Sequence, residues 1–297
     1  MRVNPNPMPD LLAALNQTEL EEQQAELQIS TGKSVNEPSD NPTAAALLVE
    51  NNDQATFTSG YLQSISAVQG QLSTASTTLG SITTALQQAL SLGVEAANGT
   101  VSSSDQAAIV VQLQGIQSQI VSLANTTYLG NYVFAGTETN AAPFVVNPSD
   151  PSGSGVTYNG NTDVNQVSIG NGYKLAVNVP GSQLFLATGN SVFLAINNLI
   201  QAVQTNTGIG TAVNAVSTAS SYLSAQAVLY GNASDQTQSE TTYLNAAQLQ
   251  ISQQQNTLGG VDMAAAATNL SQAQTDSQAA LDAISKFSQD TLFNYLS

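Results

Sequence analysis

Val216, Leu223, Tyr230, Thr237, Leu244, Ile251 and Leu258 recur at intervals of seven residues. A heptad column of that length restricts residues 211–257 to one long helix with a packed seam. The same period runs through Ile65, Leu72, Leu79 and Leu86, and through the neighbouring column Tyr61, Val68, Ala75, Ile82 and Ala89. Residues 42–98 therefore read as a second long helix, ended by Asn98-Gly99. Ile109, Ile116 and Leu123, flanked by Leu113, Ile120 and Thr127, predict a third helix, capped by Ser104 or Asp105 and running to about Thr127. Val192, Ile196, Leu199 and Val203 make one face of a helix from about residue 191, and Thr205–Gly210 breaks it from the long helix that follows.

The two ends of the chain carry weaker helical patterns. In residues 10–29, Leu11, Leu12, Leu15, Leu20 and Leu27 give an apolar side, and Glu19, Glu21, Glu22 and Glu26 a wet one. After the Gly259-Gly260 stop, Asp262 caps a last helix with Leu270, Ala273, Leu281, Ile284, Phe287 and Leu292 inward and Leu296 near its end. Such thin stripes leave a lone helix marginal in water, so each needs a partner. The connector after the first helix is Ser-Thr-Gly-Lys-Ser-Val-Asn-Glu-Pro-Ser-Asp-Asn-Pro-Thr-Ala-Ala-Ala. Gly32 suits a left-handed helix stop, and Lys33 lies where the helix dipole favours a cation. Pro38 pushes Glu37 out of helical angles. Asp40 or Asn41 caps the next helix, with Pro42 in its first turn.

Between about residues 128 and 190 the pattern changes to glycine, proline, asparagine and β-branched residues. Tyr132–Ala135, Val156–Tyr158, Asn165–Ile169 and Lys174–Val179 read as short strands. Asn159-Gly160 and Asn171-Gly172 read as hairpin turns, and Pro148–Gly155 as a loop. The expected fold is mainly α with a β-insert: a long antiparallel helical bundle or coiled-coil rod made by the N- and C-terminal segments, with a small antiparallel β-domain at its tip. The expected division is 1–41 with 260–297 as a terminal coiled coil, 42–128 with 191–259 as a helical rod, and 129–190 as a β-rich outer domain.

Charged residues make up only 8% of the chain, with 4 Lys and Arg against 20 Asp and Glu, a net charge of −16. That balance excludes the basic patches on which nucleic acid and anionic membranes bind. With no cysteine and no histidine, Ser–His, Cys–His and helical zinc-protease arrangements are impossible. Asp150, Asp163, Asp235 and Asp276 are scattered, without the spacing of a carboxylate pair. Gly170-Asn171-Gly172 and Gly208-Ile209-Gly210 lack the further glycine of a phosphate loop and read as turns. No enzyme activity, cofactor or metal is expected. The start, Met-Arg-Val-Asn-Pro-Asn-Pro-Met-Pro, has no signal-peptide core, and no apolar run reaches the roughly 18 residues of a membrane span. The expectation is a chain soluble at synthesis that would leave the cell, if at all, without a cleaved signal. The uncharged polar faces of the terminal helices can be buried between subunits without stranding a lysine.

The segment STGKSVNEPSDNPTAA resembles the N-terminal signature of the flagellin superfamily and, more closely, its hook–filament junction branch, the hook-associated protein 3 family. The tail VDMAAAATNLSQAQTDSQAALDAISKFSQDTLFNYLS resembles the same branch, as do NYVFAGTETNAAPF and YNGNTDVNQVSIGNGYKLAVNVPGSQLF. The start departs from it: MRVNPNPMP puts three prolines where the family has an unbroken Met-Arg-Ile-Ser-Thr lead-in. The resemblance implies a structural flagellar protein, exported unfolded through the type III apparatus and held beforehand by a cytosolic chaperone. It implies helical self-assembly between hook and filament, against an adjoining junction protein and flagellin, or alternatively assembly of the filament itself. It also implies terminal helices paired into an inner tube, long helices around them and the β-domain outward. The expected interaction residues are Leu12, Leu15, Leu20, Leu27, Ile65, Leu72, Leu79, Leu86, Leu223, Leu244, Ile251, Leu270, Leu281, Ile284, Leu292 and Leu296, with Gly32, Lys33, Pro38, Asp40 and Pro42 as the turn motif.

Overall fold

In the computed structural model the described residues are 8–98 and 101–296, and the side chains of 287–296 fall outside the description. The helices are α1 (Met8–Thr31), α2 (Pro42–Ala96), α3 (Ser103–Ala124), α4 (Gly181–Phe185), α5 (Val192–Thr205), α6 (Ile209–Gly259) and α7 (Met263–Leu296). The strands are β1 (Thr127–Tyr128), β2 (Asn131–Tyr132), β3 (Phe144–Val146), β4 (Val156–Tyr158), β5 (Gln166–Gly170) and β6 (Tyr173–Ala176). The expected end of the second helix at Gly99 lies outside the described residues. The chain forms two compact units, Met1–Phe57 with Ala247–Ser297, and Thr58–Ala246.

In the first unit α1 packs along α7. The end of α1 meets the start of α7 through an antiparallel bridge between Lys33 and Gly260, so the two helices run antiparallel. Ala25, Ala266 and Ala273 are buried. Leu11, Leu15, Thr18, Glu22 and Ile29 of α1, and Leu270, Ser277, Ala280 and Ile284 of α7, are half-buried. These positions form heptad columns 11/18/25 and 15/22/29 on α1, and 266/273/280 and 270/277/284 on α7, of which the sequence reading had recognised only part. Leu12, Leu20 and Leu27 are 48%, 60% and 43% exposed, and Leu281 is 46% exposed. That corrects the expected apolar face: at 100° per residue Leu20 and Leu27 lie roughly 160–180° from the seam and Leu12 about 100° from it. Phe287, Leu292 and Leu296 are among the side chains outside the description. Asp262 caps α7 as expected, its Oδ1 accepting from the N–H groups of Ala264 (2.9 Å) and Ala265 (3.1 Å).

The second unit holds the main core. Ile65, Val68, Leu72, Ala75, Leu79, Ile82, Leu86 and Ala89 on α2 are at most 4% exposed, and Val216, Leu223, Tyr230, Thr237 and Leu244 on α6 at most 5%. Thr237 fits a buried column because its hydroxyl donates to its own helix, at Ser234 O, 2.7 Å away. Packed between α3 and α5, Ile109, Leu113, Ile120 and Ala124 meet Val192, Ile196, Leu199 and Val203 in one apolar cluster. The cap of α3 is Ser102, not Ser104 or Asp105. Its Oγ accepts from Asp105 N (3.2 Å) and donates to Asp105 Oδ2 (2.7 Å), a reciprocal cap that uses both residues. By length and composition α3 is apolar enough to cross a membrane, with a mean hydropathy of 1.3, although Ser, Asp and Gln interrupt it so that no unbroken apolar run of that length exists. Its apolar face is packed into the unit, as in a core helix.

The β-rich segment is three separate two-stranded antiparallel ribbons, β1–β2, β3–β4 and β5–β6. Asn171-Gly172 turns between β5 and β6 as expected. Asn159-Gly160 is no hairpin turn, because β4 pairs back onto β3 through the Asn147–Gly155 loop. The strand at 144–146 and the helix α4 were not foreseen, and the strand expected over 132–135 shortens to Asn131–Tyr132. The reason is packing: Phe134, Phe144, Phe185 and Phe193 are nearly fully buried. Rings 134 and 185, 144 and 185, and 144 and 193 stand 5.2, 5.4 and 5.3 Å apart. The Asn125 side-chain amide, at the end of α3, pairs with the Phe144 backbone like a strand, donating to its O (2.7 Å) and accepting from its N (2.9 Å). At Gly181 a β-carbon would come within 2.6 Å of the Phe144 ring, so close approach requires glycine there.

Tyr230 of α6 ties the β-rich segment to the helices: its hydroxyl accepts the Val179 N–H at 3.1 Å. Burial pushes its pKa from 10.0 to about 12. Unfolded chains lose this proton first, so the folded state gives up stability as the pH rises from 10.0 toward about 12. Tyr230→Phe should cost about 1–3 kcal/mol near neutral pH, because Val179 N–H loses its acceptor. The same variant should flatten the alkaline loss. Chemical denaturation on either side of that window checks both effects, and an equally steep alkaline loss in the variant counts against this assignment.

Candidate assembly interface

The connector between α1 and α2 is a compact turn built by its own side chains. Gly32 adopts φ +69° and its N–H closes on Gln28 O at 2.9 Å, the left-handed helix stop expected of glycine. Its carbonyl accepts from Val261 N (3.3 Å), and Ser34 N donates to Gly259 O (2.8 Å). Asp40 does not cap α2. Its Oδ2 accepts from Asn36 N (2.8 Å) and Glu37 N (2.9 Å), and these two N–H groups, Glu37 first, hold its carboxyl below the usual 3.8. That contribution is present above the unfolded pKa and fades as the pH falls below it. Asn41 is the helix cap, its Oδ1 accepting from Ala44 N at 3.0 Å. Pro42 opens α2, and Pro38 and Lys33 are exposed.

Beside the connector, within the same unit, lies an open groove of about 670 Å³ lined by Val35, Pro38, Leu48, Val49, Asn52 and Asn256 among others. Its lining is mostly apolar and amide side chains, together with Lys33 and Glu37. Among the described residues no group of three or more acidic side chains comes together that would hold a metal ion. The Asp150 carboxyl is also held below its ordinary range, by hydrogen bonds from Ser152 and Ser154 of its own loop.

The predicted interaction residues divide into two groups. Ile65, Leu72, Leu79, Leu86, Leu223, Leu244 and Ile251 are buried inside the chain, where they hold its own helices together. Leu15, Leu270 and Ile284 are half-buried in the α1–α7 seam. Leu12, Leu20 and Leu27 face away from it, on a side of α1 whose other positions include Ala13, Asn16, Gln23, Ser30 and Thr31. Leu20 and Leu27 stand among uncharged neighbours there, whereas Leu12 heads the heptad column that continues through Glu19 and Glu26. The sequence reading missed Val49, Phe57, Val228, Tyr243 and Leu249, which are 65%, 66%, 58%, 67% and 61% exposed on α2 and α6. They lie off the heptad columns, so only apolar residues left over after the core is assigned would have marked them.

Residues 7–139 match the bacterial flagellin N-terminal helical region, and residues 206–296 the bacterial flagellin C-terminal helical region. Over 167 residues, 56% of this chain and 50% of the relative, the chain is 35% identical to flagellar hook-associated protein 3 of Salmonella typhimurium. Over 118 residues, 39% and 37% of the two chains, it is 40% identical to flagellar hook-associated protein 3 of Escherichia coli. The chain spans half or less of the length of these curated relatives. A putative flagellar hook-associated protein from Vibrio parahaemolyticus shares the fold with a TM-score of 0.66 at 20% identity, over 73% of this chain and 98% of that one. The flagellar junction protein FlgL from Legionella pneumophila does so with a TM-score of 0.58 at 13% identity, over 72% and 100%. With both terminal helical regions matched in order on either side of the β-rich segment, the chain belongs to the bacterial flagellin family.

Proposed function

We propose that this chain is a structural subunit of the bacterial flagellum, a hook-associated junction protein that joins hook to filament by helical self-assembly. The observation that carries the reading is the α1–α7 pair: a seam whose buried positions, among the described residues, are only Ala25, Ala266 and Ala273, and exposed leucines on α1, Leu20 and Leu27 among uncharged neighbours and Leu12 at their flank, left facing outward. A free monomer gains nothing from exposing Leu12, Leu20 and Leu27, whereas neighbouring copies can bury them at roughly 25 cal/mol per Å² of apolar surface. The names of the curated relatives support the junction role over that of the filament subunit. In this reading residues 1–41 and 260–297 form the inner assembly layer, 42–128 and 191–259 the helical rod, and 129–190 the outer domain. Other copies, an adjoining junction protein, flagellin and a cytosolic export chaperone are its partners. It acts outside the cell without a cleaved signal, catalyses no reaction and inserts in no membrane.

Deleting the gene tests this. A mutant that builds hooks, releases filament subunit into the medium and assembles no filament is the expected result. If purified chain alone grows long filaments, the protein is instead a filament flagellin, which the match to flagellin terminal regions also accommodates. An antibody band at the distal end of the hook would locate the junction directly.

A further inference from the structure

The turn between β5 and β6 carries a second kind of chemistry. Gly170 pairs with Tyr173 across it, leaving Asn171 and Gly172 as a two-residue loop. Both are exposed. Gly172 sits at φ +73°, and nothing lies within 4 Å of the place a β-carbon would occupy. We propose that Asn171 is a site of spontaneous covalent modification, deamidating through a succinimide closed with the backbone of Gly172.

The deprotonated Gly172 nitrogen attacks Asn171 Cγ and a new N–C bond forms. The Cγ–Nδ2 bond then breaks, and ammonia leaves with the proton taken from the glycine amide. Water adds to either carbonyl of the five-membered ring and reopens it, giving aspartate or isoaspartate. The balance is one water consumed and one ammonia released, with no oxidant or reductant. Glycine is the favourable follower because it has no side chain to shield its nitrogen and the widest backbone range for closing the ring.

The chain contains a built-in comparison. Asn159-Gly160 has the same two residues, but its backbone is fixed. Asn159 N donates to Pro143 O at 2.7 Å, and on the far side of Gly160 the Asn161 N donates to Ala135 O at 3.1 Å. At Gly160 a β-carbon would fall 2.5 Å from the Tyr158 hydroxyl and 2.6 Å from Ala135 O. A peptide unit enclosed in that way cannot rotate to bring its nitrogen onto the side chain.

The product also has a structural effect. The hairpin is clasped to α6 by the Tyr173 hydroxyl and Gln236 Oε1, 3.0 Å apart, and Gly170 lies against the Glu240 carboxylate. A new carboxylate at Asn171 adds like charge next to Gly170, where the Glu240 carboxylate lies. Isoaspartate further lengthens the backbone inside a two-residue turn. Either change loosens this clasp as the protein ages.

The test is peptide mass mapping of the full chain held at mildly alkaline pH, folded and in parallel in urea. In the urea sample both asparagines should convert at similar rates. In the folded chain Asn171 should stay within a few-fold of its unfolded rate, and Asn159 should slow by at least an order of magnitude. Gly172→Ala should slow conversion at Asn171 in the urea sample as well, where folding plays no part. Folded-state rates equal at the two sites, or Asn171 protected as strongly as Asn159, overturn the proposal.

Discussion

Leu223→Asp is expected to lower the stability of the Thr58–Ala246 unit by about 3–5 kcal/mol, the cost of an uncompensated buried charge. Leu223 is fully buried, in the middle of the column that runs from Val216 to Leu244 along α6. It belongs to the apolar core cluster that also contains Ile65 to Ala89 of α2, where a carboxylate would meet mostly aliphatic side chains. The aspartate would have to take up a proton or drag water into the seam, and either costs most of the free energy by which an ordinary domain is stable. Val228→Asp is the control on the same helix. Val228 is 58% exposed, so its replacement should change stability by less than about 0.5 kcal/mol. Denaturant midpoints of the two variants decide it. Equal midpoints would mean that the heptad column faces solvent.

That contrast also shows how far a repeat can be read without coordinates. Burial every seven residues on α2 and α6 followed directly from the sequence, because long seams repeat their own signal. Local caps followed where a single residue type decides the geometry, as at Gly32 and Asp262. Where neighbouring residues competed for a cap, the backbone N–H groups within reach chose. Asn41 took the helix and Asp40 the turn before it, and Ser102 displaced Ser104. The β-rich segment was the least readable part. Phe144 pairs with β4 because Asn125, 19 residues earlier, presents its amide to it, and no local pattern announces such a contact. On α1, leucine is the larger apolar signal, yet the buried seam position is Ala25, with Leu11, Leu15, Thr18, Glu22 and Ile29 half-buried around it and Leu12, Leu20 and Leu27 outside. Counting apolar residues found the helix and misassigned its faces.

Amide exchange of the free protein should divide along that same line. The seam of α1 contains one buried residue, Ala25, and the seam of α7 is carried by Ala266 and Ala273. Helices of this kind owe little to propensity and depend on packing for their stability. Their amides are therefore expected to open for roughly 1–3 kcal/mol, whereas those from Val216 to Leu244 should approach the global value of about 5–15 kcal/mol. Burying the Leu12, Leu20 and Leu27 stripe against neighbouring copies adds the packing that the monomer lacks, so assembly should slow exchange in α1 and α7 most. Leu20→Glu separates this from simple fraying. At 60% exposure the change should leave the monomer's exchange and midpoint alone while removing the gain on assembly. Terminal helices protected in the dilute monomer as strongly as α6, or a Leu20→Glu chain that still gains full protection in the polymer, would show that the stripe is not an assembly surface.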